Sequence, residues 1–131
     1  MSTSTTKKVY AVDGSQFSTL AECADEFTRV LGLTMPWGGN LDAFNDFLHG
    51  GFGTPDEGFI LVWRHSDVSR QRLGYGETLR WLEEIVHSCH PSNVGRVQEQ
   101  IAAARRQEGD TLFDMLVEIV RDHEDIELRL E

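Results

Sequence analysis

Apolar residues recur along the chain at spacings that predict alternating strands and helices. Residues 9–12 form a short apolar run that ends in an Asp-Gly pair, which indicates a first strand followed by a turn. Thr19 can cap a following helix with Glu22 as its capping-box partner, and Gly32 can end that helix. The apolar residues at helical spacing between these ends are Leu20, Cys23, Ala24, Phe27, Val30 and Leu31.

A second helix is predicted between two glycine-rich loops, residues 33–39 and residues 50–58. Asn40 is a good N-cap for this helix because its side chain can accept from a backbone N–H of the first turn. The apolar stripe of the helix consists of Leu41, Phe44, Phe47 and Leu48. The continuous apolar run of residues 59–63 then indicates a strand that is buried on both faces in the middle of a sheet.

The last third of the chain predicts three more helices and an edge strand. Residues 78–89 form the first of these helices, and residues 94–106 form a weaker one. Asp110 caps the last helix, whose apolar residues are Leu112, Phe113, Leu116, Val117 and Val120. Residues 125–131 alternate charged and apolar side chains, as a half-buried edge strand does. Strands separated by helices need crossover connections, so the pattern predicts an α/β fold with a small parallel sheet flanked by helices.

Length and composition are those of one globular domain. The chain has 131 residues, of which 40% are hydrophobic and 26% charged. We expect a single domain over residues 8–131, preceded by a disordered Ser/Thr-rich tail over residues 1–7. Cys23 and Cys89 are too few for a disulfide framework and suit a reducing compartment. We find no apolar run typical of a signal peptide or a membrane span, and therefore expect a cytoplasmic protein.

The chain is strongly acidic, with a formal net charge of −10. This excess disfavours binding to nucleic acid or to an anionic membrane and suits a positively charged partner. Residues 108–131 contain nine acidic residues against two arginines, which is typical of a solubilising surface. A second acidic stretch lies between Arg29 and Arg64, which enclose no Lys or Arg. Its acidic residues are Asp42, Asp46, Asp56 and Glu57.

The predicted second helix separates apolar from acidic side chains. On a helical wheel Asp42, Asp46 and His49 lie opposite the apolar stripe, with Asn45 on the flank. The helix macrodipole stabilises Asp42 near the N-terminus, but a second like charge four residues later costs a few tenths of a kcal/mol. No base nearby in the sequence relieves the two carboxylates. The pattern fits either a plain exposed helix or a site for cations supplied from elsewhere.

The segment around this helix resembles the signature of a known family. It runs from Trp37 to Gly50 and reads WGGNLDAFNDFLHG. This is similar to the pattern of the barstar family, the proteinaceous inhibitors of extracellular guanyl-specific ribonucleases. The resemblance extends over residues 8–64 and 112–130. It implies a three-stranded parallel sheet with helices packed on it, and two extra helical stretches (about residues 74–109) inserted before the last helix and strand.

The resemblance also implies a function and a set of site residues. Members of the family bind a basic ribonuclease, with the loop and the acidic helix plugging the active site that otherwise holds RNA phosphate. The protein would then be an inhibitor and not an enzyme, without a cofactor or metal and without a nucleic-acid or membrane partner. Asp46 corresponds to the family's most energetic contact. The partner-binding residues carried over by the resemblance are Trp37, Gly38, Asn40, Asp42, Asn45, Asp46, His49, Gly50 and Glu118.

The chain departs from the family's pattern at three aromatic positions. Pro36, Asn45 and Gly51 stand where well-known members carry large aromatic side chains, whereas Trp37 keeps the remaining aromatic. Aromatic anchors commonly supply much of an interface's energy. The identity of the partner is therefore open, and an immunity or regulatory protein for a different basic partner is an alternative.

Enzyme chemistry is the other alternative. Asp42 and Asp46 could form a catalytic carboxylate pair, although an exposed helix offers little desolvation to distinguish the two. Residues 65–67 read His-Ser-Asp, but consecutive residues cannot adopt the geometry of a triad with one another. His87, Cys89 and His90 are metal-ligand types without a second cluster at zinc-site spacing.

Overall fold

Three parallel strands form the sheet at the centre of the protein. The computed structural model describes residues 7–131, so the predicted tail, apart from Lys7, lies outside the described residues. The strands are β1 (Lys8–Asp13), β2 (Phe59–Arg64) and β3 (Ile126–Leu130), in the order β1-β2-β3. Both pairings are parallel, with Tyr10 opposite Leu61 and Leu61 opposite Leu128. The predicted central and edge positions of the second and third strands are confirmed.

Six helices are found among the described residues, and the α/β fold with a three-stranded parallel sheet is confirmed. Their bounds are α1 Leu20–Leu31, α2 Leu41–Leu48, α3 Ser66–Arg72, α4 Tyr75–Ile85, α5 Val94–Arg105 and α6 Leu112–Arg121. None of the helices within residues 7–131 is both long and apolar enough to cross a membrane.

The ends of α1 follow from local hydrogen bonds that the sequence predicts. Thr19 Oγ1 accepts from Glu22 N at 3.1 Å. Glu22 Oε1 reaches back to Ser18 N at 2.8 Å, one residue earlier than the usual capping box places it. Gly32 ends the helix in the left-handed conformation, with φ 64°.

The structure corrects three of the predicted helix assignments. α3 was not predicted, because its seven residues carry no apolar periodicity and its start at His65 has a left-handed backbone. α4 begins three residues before Thr78 and ends four before Cys89, since the chain leaves the helix in a series of turns. The N-cap of α6 is Thr111 and not Asp110, because Thr111 forms a reciprocal capping box with Asp114.

Aromatic side chains from the sheet and from several helices make the main core. Phe59, Leu61 and Trp63 of β2 are at most 1% exposed and belong to this core. The Phe27 ring of α1 lies 5.1 Å from Trp63 and 5.6 Å from Phe44 of α2 between ring centroids, both edge to face. The Phe113 ring of α6 lies 5.1 Å from Trp63. The helices are thus oriented by a shared aromatic contact on one face of the sheet.

The segment that was expected to be an insertion forms a helical hairpin. α4 and α5 pack on each other around a second, smaller apolar cluster, whose buried members are Leu82, Val97, Ile101 and Ala104. Glu77 of α4 accepts from Leu20 N at 2.8 Å, and Thr78 Oγ1 accepts from Leu112 N at 2.8 Å. These bonds attach the hairpin to the start of α1 and to the start of α6.

Replacing Phe44 by alanine should destabilise the protein by about 3–5 kcal/mol, because Phe44 is fully buried and the cavity left behind cannot close completely. Urea unfolding measures this loss. Val9→Ala is the matched control, since Val9 is 55% exposed and its truncation should change the free energy of unfolding by less than about 0.5 kcal/mol. Equal effects of the two substitutions would contradict the placement of α2.

Candidate functional site

A tight turn leads into α2 and sets where the helix begins. Gly38 and Gly39 both have left-handed backbones, with φ 57° and 82°, which only glycine adopts without strain. The turn is closed by Asn40 N, which donates to Trp37 O at 2.8 Å. Asn40 Oδ1 then caps the helix by accepting from Ala43 N at 3.1 Å. The Trp-Gly-Gly-Asn sequence is therefore explained by the geometry of this turn.

Trp37 lies in the core and not on the surface. Its side chain is 3% exposed and stacks on Phe44 with ring centroids 4.4 Å apart. Its Nε1 is buried and has no hydrogen-bond partner among residues 7–131. The ring therefore supports the turn from the core. Trp37 does not provide the exposed aromatic contact that the family resemblance implies.

The face of α2 opposite this core carries two exposed carboxylates. Asp42 and Asp46 are exposed, and neither forms an ion pair within the described part of the chain. Asp42 lies in the first turn, where the helix macrodipole stabilises it. Asp46 lies near the other end, where both the macrodipole and the charge of Asp42 oppose it. The position of Asp46 thus costs stability without a local interaction that offsets it.

The loop after α2 completes this surface. His49 is exposed at the C-cap, and Gly50 follows with φ 110°. The Phe52 ring packs on Phe47 at 4.5 Å between centroids, and Phe52 O accepts from Thr34 N at 2.8 Å. The loops on either side of α2 are therefore joined to each other. His49 lies on the same side as Asp46, and Gly50 follows it outside the helix.

Asn45 connects α2 to a residue that the sequence did not suggest. Its Oδ1 lies 2.9 Å from Nε2 of His123, in the turn between α6 and β3. The His123 ring also lies 4.6 Å from that of His49 between centroids. His123 is separated from Asn45 by 78 positions, and no motif around it marks it, so only the fold brings the two together.

Glu118 lies on the outer face of α6 and is exposed. It lines a groove between α6, the end of β3 and α3, together with Arg70, Asp114 and Arg121. α2, by contrast, is joined to the turn after α6 through His123. The structure therefore brings Asp42, Asn45, Asp46, His49 and Gly50 together on α2 and its C-terminal end, and it places Glu118 on a different helix.

The residues weighed for enzyme chemistry have other partners. His65 Nδ1 lies 2.8 Å from Oδ1 of Asp13, and not beside Asp67. Hydrogen bonds from Ser15 and His65 hold the pKa of Asp13 well below its usual range, which fits a carboxylate that links the ends of β1 and β2. His90 bonds to Ser92. Across residues 7–131, no group of three or more His, Cys, Asp and Glu side chains is placed to hold a metal ion.

Comparison with known protein families shows which family the chain belongs to. A family model described as Barstar (barnase inhibitor) matches residues 7–100. The chain belongs to the barstar family. No curated protein matches the chain. Members of the barstar family are inhibitors rather than enzymes.

The extent of the barstar match differs from the expected resemblance. It includes the motif of residues 37–50 and the first two strands, as expected, and continues through α4 into α5. It ends before α6 and β3, although β3 completes the three-stranded parallel sheet in the structure. Most of the segment that the sequence suggested as an insertion therefore lies inside the matched range, and the last helix and strand lie outside it.

Replacing Asp46 by asparagine should leave the fold intact and raise its stability by a few tenths of a kcal/mol, because it removes a repulsion with Asp42 and with the helix dipole. Thermal unfolding at low ionic strength measures the change, and added salt should reduce it. A clear loss of stability would show that Asp46 has a stabilising partner.

Proposed function

We propose that this protein inhibits a basic ribonuclease by placing α2 and the turn before it in the nuclease's RNA-binding site. The observation that carries the proposal is the pair of exposed carboxylates, Asp42 and Asp46, without a cation of their own in the described chain. In the complex they would face the Arg, Lys and His side chains that otherwise hold RNA phosphate. The mechanism requires no cofactor or metal.

The turn and the loop hold this surface ready for binding. Gly38 and Asn40 define the start of α2, and Trp37 supports it from the core. A surface that is ordered before binding loses little conformational entropy in the complex. We assign His49 and Gly50 to the same contact surface, and Glu118 to an accessory contact on α6.

Charge should matter both for the rate and for the affinity of binding. The net charge of −10 attracts a basic nuclease from a distance and speeds association at low salt. We place the interaction in the cytoplasm, because Cys23 and Cys89 are both free thiols.

A second candidate is binding to a basic protein other than a barnase-type ribonuclease. It is favoured by the lack of exposed aromatic side chains around α2. Pro36, Asn45 and Gly51 stand where other family members carry aromatics, and Trp37 is buried. Aromatic anchors often dominate an interface, so their loss points to a changed partner. Hydrolysis by Asp42 and Asp46 is not favoured, because both side chains are exposed and an exposed helix offers little desolvation to separate their pKa values.

Asp46→Ala should weaken binding to barnase at least about tenfold, or about 1.4 kcal/mol, without loss of stability, because it removes an exposed carboxylate from the centre of the acidic surface. Isothermal titration calorimetry measures the affinity, and cleavage of an RNA substrate measures the inhibition. The affinity of the unmodified chain should also fall as salt rises from 50 to 200 mM.

Glu99→Ala is the matched control. It removes one exposed negative charge from α5, outside the proposed surface, and should change the affinity by less than about twofold. Equal losses in the two variants would mean that net charge alone drives binding. Binding to another basic ribonuclease, but not to barnase, would support the second candidate. RNA or peptide hydrolysis by the chain itself would contradict both.

A further inference from the structure

Two histidines meet where α2 adjoins the turn after α6. His49 caps the C-terminus of α2 and is exposed, whereas His123 is 7% exposed. Their ring centroids are 4.6 Å apart and their planes are inclined by 66°. Two imidazoles at this distance repel each other when both carry a proton, and they pack without penalty when both are neutral.

The hydrogen bond to Asn45 indicates which tautomer the neutral ring of His123 adopts. The amide oxygen Oδ1 can only accept, so the proton shared across the 2.9 Å contact belongs to His123 Nε2. The neutral ring then carries its lone pair on Nδ1. Adding a second proton there places a positive charge in a buried position.

The groups around His123 have opposite effects on its pKa. Burial, followed by the neighbouring His49, lowers the pKa of His123, whereas Asp125 and Asp122 of its own turn act in the opposite direction. Lys7 donates to the main-chain oxygen of Asp125 at 3.0 Å and adds a further cation at this end of the sheet. The net effect is a pKa below the usual histidine value of 6.5.

The sign of the pH dependence follows from this direction. The unfolded chain takes up a proton on this histidine near pH 6.5, and the folded protein takes it up only at a lower pH. The contribution of neutral His123 to stability is therefore fully present above pH 6.5 and is lost as the pH falls through its folded-state value.

These contacts involve the part of α2 that carries Asp46. Asn45 precedes Asp46 in α2, and His49 follows it by three residues, so both contacts to His123 hold the segment that carries Asp46.

We propose that His123, hydrogen-bonded to Asn45 and packed on His49, forms a proton-sensitive joint between α2 and the α6–β3 turn, which holds the Asp46 segment in place while His123 is neutral and loosens it when His123 is protonated. In the free protein this joint couples the order of the C-terminal half of α2 to pH. If the proposed function holds, the joint also makes binding to a cationic partner weaker in acid, because the added positive charge opposes the partner's own.

The joint can be tested in the free protein by NMR. The imidazole Cε1–H signal of His123 should titrate below pH 6.5, and His49→Gln should raise the pKa of His123 because it removes a neighbouring imidazole. Backbone amides of residues 45–50 should lose hydrogen-exchange protection as the pH falls, after correction for intrinsic exchange. For each unit by which the pKa of His123 is lowered, the protection factor of these amides should fall about tenfold once His123 is fully protonated.

His123→Gln is the informative variant, since its side-chain amide can still donate to Asn45 but does not titrate. It should remove the pH dependence of protection in residues 45–50 while keeping the fold. His90→Gln is the control, because His90 bonds to Ser92 in the α4–α5 connection, and it should change nothing in α2. Unchanged pH dependence of protection in His123→Gln, or a pKa of His123 that is not below 6.5, would overturn the proposal.

Barnase as a probe separates this inference from the proposed function. For binding to barnase, the ratio of Kd at pH 5.5 to Kd at pH 7.5 should be smaller for His123→Gln than for the unmodified chain. Groups that titrate on barnase itself affect this ratio equally for the two chains. A pH-dependent loss of protection that His123→Gln abolishes, without any binding to barnase, would support the joint and contradict inhibition of barnase. Binding to barnase by a chain whose protection in residues 45–50 does not depend on His123 would contradict the joint and support inhibition.

Discussion

The packing of Phe44 between Trp37 and Phe27 is the contact on which the acidic surface depends. Phe44 stacks on Trp37 at 4.4 Å and meets Phe27 edge to face at 5.6 Å. These rings fix the rotation of α2 about its axis, because a helix that buries one face must present the opposite face to solvent. Asp42 and Asp46 therefore point outward as a consequence of core packing.

The same surface carries an electrostatic cost to stability. Asp46 lies near the negative end of the helix dipole and one turn from Asp42, and nothing in the described chain neutralises either. Local rules that are broken without a local gain commonly mark functional sites. In the function that we propose, a cationic partner would supply the missing charges.

Where the sequence predicts the structure well, the interactions are local. The capping of α1 by Thr19 and of α2 by Asn40 each join residues three positions apart. The burial of β2 follows from a run of apolar side chains. α3 could not be predicted, since it is a short helix without an apolar face, and the start of α6 depended on whether Asp110 or Thr111 formed the cap.

The sequence by itself determined the capped turn before α2, the separation of its apolar and acidic faces and the barstar resemblance, because these depend on residues close together in the chain. Only the tertiary structure decided that Trp37 is buried, that Glu118 lines a separate groove and that His123 joins α2. Those three outcomes depend on how distant elements pack. A spacing of 78 residues between Asn45 and His123 leaves no periodic trace in the sequence.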